Sequence, residues 1–210
     1  MLENIEVLYH SSIKINKGGI IYFDPFKIDK EYHDADIIFI THSHYDHYSE
    51  EDILKVRKEN TCIVAPFDLL DNLLTLDFTK ESITTVKPNE NYNVNGLTFK
   101  TIPAYNTNKS FHPKSNNWVG YLLTLNDTIY YIAGDTDITE ENKQVKCDVA
   151  FVPIGGTYTM DYKEAAELIN EIKPKIAVPT HYAAIVGAKE DGENFVKLLD
   201  SEIECKIYIK

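Results

Sequence analysis

Four metal-ligand side chains in one short stretch constrain the fold of this chain more than any other feature of its sequence. The residues are His42, His44, Asp46 and His47, in the spacing His-x-His-x-Asp-His. They follow the apolar, β-branched run 36–40, which predicts a buried strand. Residues two apart in an extended chain point to the same side, so His42 and His44 are predicted to face one point. A turn would bring Asp46 and His47 round to that point.

Imidazole and carboxylate groups in this arrangement predict a metal site at the end of the strand. They suit zinc and, less selectively, iron or manganese. The alternative is that these are surface histidines before a helix, which would require their spacing to be a coincidence. A helical zinc motif is less suitable, because His42 and His44 are two residues apart and cannot share one face of a helix.

Length and charge narrow the classes of function. The chain has 210 residues, which predicts a single domain, residues 1–210, with a sizeable core. Its formal net charge is −12, so neither nucleic acid nor an anionic membrane surface is expected as a partner. The three cysteines, Cys62, Cys147 and Cys205, are far apart in sequence and predict free thiols, the first two buried. Free thiols and the lack of a signal peptide or a long apolar run predict a cytoplasmic protein without membrane insertion.

Short strands alternate with a few helices along the chain. The order is strands first and then strands mixed with helices, in both halves, which predicts an α/β (α+β) fold of two sheets packed face to face with helices outside. Helices are predicted at 49–58, 68–74, 161–173 and 190–199. Strands are predicted at 5–9, 12–15, 19–23, 36–40, 61–65, 82–86, 91–94, 97–102, 118–125, 128–133, 148–152, 175–178 and 204–209.

Two further residues of ligand type also follow predicted strands. Asp135 comes after the strand 128–133, and His181 comes after the strand 175–178. Ligands gathered from several strand ends are a common way to build a site on a sheet scaffold. Taken alone, Asp135 could be a turn former and His181 a hydrogen-bonded core histidine. The motif at 42–47 favours the ligand role for both.

Several segments together resemble the metallo-β-lactamase superfamily. Besides the motif at 42–47, they are Gly134-Asp135-Thr136, Pro179-Thr180-His181-Tyr182, the segments 8–12 and 23–26, and the run 153–160. The closest resemblance is to the branch that contains uncharacterised small metal-dependent hydrolases, ascorbate-6-phosphate lactonase and N-acyl-phosphatidylethanolamine phospholipase D. It implies a four-layer αββα sandwich of two mixed β-sheets with a dinuclear site at one edge.

The resemblance also implies roles for the ligand residues of this chain. It implies that His42 and His44 bind a first metal ion, that Asp46, His47 and His181 bind a second, and that Asp135 bridges the two. The expected cofactor is Zn²⁺, one or two ions per chain, with Mn²⁺ or iron as alternatives.

One position departs from the family pattern. Where the family usually has a further histidine for the first metal ion, this chain has Asn106, which is a poor zinc ligand because its amide oxygen is neutral and hard. We hypothesise that His112, in the same loop, folds back to take the missing place. The alternative is that His112 is a solvated loop residue or a substrate contact. In that case the protein would hold only one metal ion firmly.

Other polar residues are candidates for supporting roles. His10 follows a strand and is predicted to lie under the site as an outer hydrogen-bond partner. Asn106 and Tyr182 are candidates for the outer shell or for substrate contact. His33 lies among acidic residues and is predicted to be solvated.

The leading functional hypothesis is hydrolysis of a small molecule. A metal ion lowers the pKa of bound water to about 7 and so provides hydroxide, which would attack an ester, a lactone or a phosphoester. Asp46 and His47 are the predicted catalytic residues, with Asp46 also able to accept a proton. Two alternatives are a di-iron redox protein and a metal-binding sensor or binding protein without turnover. A nuclease is disfavoured, because the acidic chain shows no nucleic-acid-binding region.

Overall fold

The computed structural model describes residues 1–209 and divides them into two compact units. One unit is formed by residues 2–87, and the other by residue 88 onward together with Met1. The strands are β1 Ile5–Tyr9, β2 Ser12–Asn16, β3 Ile20–Phe23, β4 Ala35–Phe39, β5 Arg57–Pro66, β6 Ile83–Val86, β7 Asn91–Val94, β8 Leu97–Pro103, β9 Val119–Leu125, β10 Thr128–Ile132, β11 Val149–Pro153, β12 Ile176–Thr180 and β13 Glu204–Cys205. The α-helices are α1 Glu50–Val56, α2 Leu70–Thr75, α3 Tyr162–Ile172 and α4 Asp191–Leu198.

The first unit contains a six-stranded mixed sheet in the order β1-β2-β3-β4-β5-β6. The meander β1–β3 is antiparallel, and β3 to β6 are parallel. Helices α1 and α2 pack on it through buried aliphatic residues such as Ile53 and Leu73. Ser49, at the start of the helix predicted from residue 49, caps α1 by accepting a hydrogen bond from the backbone N–H of Asp52.

The second unit contains a seven-stranded mixed sheet in the order β13-β12-β11-β10-β9-β8-β7. Strands β7 to β10 are antiparallel, and β10 to β13 are parallel. Helix α3 begins with a complete capping box between Asp161 and Glu164 and buries Leu168 and Ile169. Because neighbouring parallel strands end at the same edge of a sheet, the residues that follow β10, β11 and β12 are brought together.

A mixed sheet with attached helices in each unit confirms the predicted α/β fold class with two mixed sheets. The single-domain organisation over residues 1–210 stays a prediction. None of the helices among residues 1–209 is long and apolar enough to cross a membrane. The cytoplasmic location also stays a prediction.

Three local predictions were wrong. Helix α1 ends at Val56 instead of near residue 58, because Arg57 is already extended (ψ 138°) and begins the long strand β5. The predicted last strand 204–209 pairs over only two residues, Glu204 and Cys205, with β12. All three cysteines are free, as predicted, but Cys62 and Cys147 are only partly buried. The helix end and the length of the last strand were mispredicted because the alternation of apolar residues does not show how far a neighbouring strand extends.

Candidate metal centre

The motif 42–47 lies in a turn between β4 and α1, in the first unit. His42 is buried and His44 is half-buried, and His42 Nε2 lies 3.1 Å from His44 Nδ1. The two imidazole rings therefore meet, as their spacing predicts.

Asp24, at the end of β3, holds two residues of this turn. Its Oδ2 accepts hydrogen bonds from His47 Nδ1 (2.8 Å) and from the Thr41 hydroxyl (2.7 Å), and its Oδ1 accepts one from the Thr41 backbone N–H (2.8 Å). Burial raises the pKa of Asp24, although the donated hydrogen bonds act against this rise. A carboxylate at Nδ1 orients the His47 ring and directs Nε2 away from Asp24.

Asp46 lies between two histidines of the same unit. Its Oδ2 is 3.3 Å from His10 Nε2 and 3.7 Å from His47 Nε2. His10 and His47 are both buried, and His10 has a left-handed backbone (φ 53°). The structure thus places His10 directly beside Asp46, where it can act as the outer hydrogen-bond partner that the sequence suggests.

In the second unit, two histidines approach a single carboxylate oxygen. Asp135 Oδ2 lies 3.2 Å from His112 Nε2 and 3.1 Å from His181 Nε2. All three residues are buried, with His112 only 1% exposed. Asp135 follows β10 and His181 follows β12, whereas His112 comes from the long loop after β8. His112 is therefore not a solvated loop residue, and its role as the substitute metal ligand stays a hypothesis.

Asn106 determines how the His112 ring is held. Its Nδ2 donates to the carbonyl oxygen of Tyr158 (2.9 Å), so its Oδ1 faces His112. That oxygen accepts from the His112 backbone N–H (2.9 Å) and from His112 Nδ1 (3.1 Å). Because an amide oxygen only accepts, Nδ1 carries a proton and Nε2 is left on the side of Asp135.

The side chains of Tyr182 and His33 contact backbone carbonyl groups. The Tyr182 side chain is fully buried, and its hydroxyl donates to the carbonyl of Ile209 at 3.1 Å. Burial raises the pKa of Tyr182 to about 12. This position favours a packing role over the predicted substrate contact. His33 is exposed, as predicted, and its Nδ1 lies 2.8 Å from the carbonyl oxygen of Arg57.

Comparison with known proteins identifies the family. The model of a family described as "Beta-lactamase superfamily domain" matches residues 4–181. The chain belongs to the metallo-β-lactamase superfamily.

Relatives from this superfamily match nearly the whole chain. A protein of Thermococcus onnurineus described as a UPF0173 metal-dependent hydrolase is 30% identical, over 97% of this chain and 95% of its own length. The crystal structure of a candidate metal-dependent hydrolase from Parabacteroides distasonis is 30% identical, with a TM-score of 0.82 and coverage of 98% of this chain and 93% of that chain. The metallo hydrolase Igni18 of Ignicoccus hospitalis shares the fold at 21% identity, with a TM-score of 0.78 and coverage of 97% and 93%.

The ligand-type residues of this superfamily member fit a metal ion in both units. A tetrahedral zinc ion with bonds of about 2.0–2.1 Å separates its ligand atoms by about 3.3 Å. The approaches of His112 and His181 to Asp135 are 3.2 and 3.1 Å, and that of His42 to His44 is 3.1 Å. Nitrogen and carboxylate oxygen atoms at these separations are the donor set that zinc prefers.

The sequence analysis assigned no role to two supporting residues of the superfamily member. Asp24 belongs to the segment 23–26 that carries the resemblance, and it follows a strand as Asp135 and His181 do. Asp137 is buried and accepts hydrogen bonds from the Thr107 backbone N–H and from Lys109 Nζ, both at 2.8 Å, so it anchors the loop that carries His112. The available signal in the sequence was a second acidic residue two positions after Asp135.

Proposed function

We propose that this protein is a metal-dependent hydrolase that acts on a small molecule. The observation that carries the proposal is the approach of His112 and His181 to one oxygen of Asp135, in a chain of the metallo-β-lactamase superfamily. Relatives at about the same length that are described as metal-dependent hydrolases support it.

The proposed ligands are the ligand-type side chains described above for the first and the second unit. His42, His44 and His112 are proposed for a first ion, and Asp46, His47 and His181 for a second. Asp135 is proposed as the ligand common to both ions. We propose zinc, one or two ions per chain, because neutral imidazole and carboxylate are its preferred ligands; manganese and iron accept the same set.

The protein residues have defined tasks in such a reaction. A bound metal ion of this kind supplies hydroxide near neutral pH and stabilises negative charge that develops on a substrate oxygen. Asp46 is proposed to take up the proton that is released, and His10, 3.3 Å from its Oδ2, is placed to hold that carboxylate in position. Asp24 keeps the His47 ring oriented through the hydrogen bond at Nδ1.

The proposed substrates are esters, lactones or phosphoesters of small molecules. Each contains a carbonyl or phosphorus centre that hydroxide can attack. The formal net charge of −12 disfavours polyanionic nucleic acid as the substrate.

The first test is the metal content per chain, with the element identified, of protein purified without a histidine tag. Two ions of zinc or manganese per chain are expected. One ion would indicate that the first site is incomplete because Asn106 stands where the family usually has a histidine. Iron would favour the di-iron redox alternative, and no metal even after reconstitution would contradict the proposal.

Activity provides the second test. The metal-loaded protein is expected to hydrolyse members of a panel of generic esters, lactones and phosphodiesters. His47→Ala should abolish this activity, whereas His33→Ala, which removes an exposed histidine, should leave it unchanged. Metal binding without turnover of any panel member would favour the sensor or binding-protein alternative.

A further inference from the structure

Each exposed aromatic side chain among the described residues lies next to a candidate site residue in the sequence or, for Phe67, next to a residue that is hydrogen-bonded to the motif 42–47. Among residues 1–209 they are Tyr9 (36% exposed), Tyr45 (66%), Phe67 (66%) and Phe111 (46%). Of the other exposed apolar side chains, Leu54, Leu74, Val196 and Leu198 lie on helices α1, α2 and α4, whereas Ile185 lies in the loop after β12 and Met1 lies before β1. The aromatic residues are thus not distributed over the surface as scattered apolar residues usually are.

Two of the four belong to one aromatic row in the first unit. Tyr45 lies between His44 and Asp46 in the sequence and packs edge-to-face on Phe26, with ring centroids 6.0 Å apart. Phe26 is buried and contacts Tyr9, whose ring centroid is 5.9 Å away and which directly precedes His10. Phe26 is the buried middle member of this row, and Tyr9 and Tyr45 are its exposed ends. Each of the two exposed residues directly precedes a residue with a ligand-type side chain.

Phe67 lies on another flank of the same turn. It follows β5, and the next residue, Asp68, accepts a hydrogen bond from the hydroxyl of Ser43 at 3.0 Å. Ser43 lies between His42 and His44. The hydrogen bond therefore holds the segment of Phe67 against the part of the turn that carries these two histidines.

Phe111 has the corresponding place in the second unit. It directly precedes His112 and packs edge-to-face on Tyr158, with ring centroids 4.7 Å apart. The carbonyl of Tyr158 accepts the amide hydrogen bond of Asn106 described above. Asn106 is therefore hydrogen-bonded both to His112 and to Tyr158, the residue on which Phe111 packs.

We propose that the three exposed aromatic side chains of the first unit, Tyr9, Tyr45 and Phe67, bind an apolar acyl or aryl group of the substrate, adjacent to the bond that is hydrolysed. This inference rests on the proposed hydrolase function and names its substrate class. An aromatic side chain left in water is unfavourable, and rigid aromatic rings next to a few polar groups are the usual lining of a site for an apolar ligand. The class that fits is an ester or lactone with a neutral apolar group, not a compact sugar phosphate.

The test is the rate of hydrolysis of p-nitrophenyl acetate, butyrate and octanoate by the metal-loaded protein. Complete burial of one methylene group changes affinity about fourfold, so a half-exposed aromatic surface is expected to give about twofold per methylene. The wild-type kcat/KM should rise with chain length. Tyr45→Ser and Phe67→Ser should each reduce the octanoate-to-acetate ratio about fivefold or more. The matched control Leu54→Ser, on α1, should change it by less than about twofold.

A binding measurement separates this inference from the hydrolase proposal. Octanohydroxamate is expected to bind the metal-loaded protein more tightly than acetohydroxamate, and Tyr45→Ser or Phe67→Ser should remove the preference. If the esters are not hydrolysed but the chain-length preference is present and is lost in the variants, the apolar site stands and the hydrolase proposal fails. Hydrolysis without any dependence on chain length, or hydroxamate binding that is absent or independent of length, overturns the apolar site.

Discussion

Replacement of Asn106 by alanine tests how the His112 ring is held. The substitution removes three hydrogen bonds: one to the Tyr158 carbonyl and two from His112 to the amide oxygen. The backbone hydrogen bond from the Asn106 N–H to the His112 carbonyl (2.8 Å) would remain, so the neck of the loop stays closed. The change is therefore local to the His112 side chain and the Tyr158 carbonyl.

The expected magnitude follows from these contacts. Each net hydrogen bond contributes about 0.5–1.5 kcal/mol, so Asn106→Ala should lower the free energy of unfolding by about 2–4 kcal/mol. Loss of the acceptor at His112 Nδ1 should weaken metal binding about 10- to 100-fold, the usual effect of removing an outer partner of a ligating histidine. Asn106→Asp keeps the acceptor for His112 but loses the donor to Tyr158, so it should reduce stability while it largely retains metal affinity.

Two measurements check this prediction. Competition with a chromogenic chelator gives the metal affinity, and ¹⁵N NMR of the imidazole nitrogens reports whether His112 Nδ1 carries the proton in the metal-free protein. Asn108→Ala, an exposed asparagine in the same loop, is the matched control and should change neither quantity. The reasoning is refuted if Asn106→Ala binds metal as tightly as the wild type, or if wild-type His112 lacks a proton on Nδ1.

Three further predictions concern other contacts. Asp24→Asn puts an amide N–H where hydrogen-bond donors converge, so chelator competition should show about 10- to 100-fold weaker metal binding, with exposed Asp29→Asn unchanged. A Cβ at Gly155 would overlap the His181 carbonyl, so Gly155→Ala should lower the urea-measured free energy of unfolding by about 1–3 kcal/mol, and the exposed Thr157→Ala should not. Burial alone would raise the pKa of Asp52, but hydrogen bonds from Ser49, Lys55 and two backbone N–H groups outweigh it and lower the pKa. A lowered folded-state pKa gives stability that is present above the unfolded value of about 3.9 and is lost as pH falls through the folded value. Asp52→Ala should therefore cost about 2–3 kcal/mol at pH 7. The difference from wild type should shrink below about pH 4; a constant difference from pH 7 to pH 2 would contradict this assignment.

Local signals in the sequence account for the predictions that the structure confirms. The helix predicted at 161–173 begins at Asp161, whose capping box with Glu164 is present because both partners are within one helical turn. The turn between the strands predicted at 12–15 and 19–23 contains Gly18, whose positive φ (80°) suits a glycine. The meeting of His42 and His44 also follows from a spacing of two residues. In each case the interacting atoms are close in sequence, so the residue order specifies them.

Predictions failed or were incomplete where the partner is distant in sequence. The extent of the last strand depends on where β12 offers a neighbour, and β12 pairs only with Glu204 and Cys205. No residue near Asp24 in the sequence indicates that it orients His47, because His47, which donates a hydrogen bond to it, lies 23 residues away. His112 was proposed as a substitute for Asn106, but the residue order did not show that Asn106 itself would orient it.

Residue order alone determined the chemistry of this protein: the ligand types, their places after strands, the α/β class and the superfamily. These properties follow from the spacing of the ligand residues and the periodicity of the apolar residues, because short-range steric effects determine strands, turns and caps. Only the tertiary structure decided which side chains orient the ligands, that His112 is buried beside Asp135, and which aromatic rings near the candidate ligands are exposed. Those features depend on packing between segments that are far apart in the chain, and no local pattern encodes the distance between two such side chains.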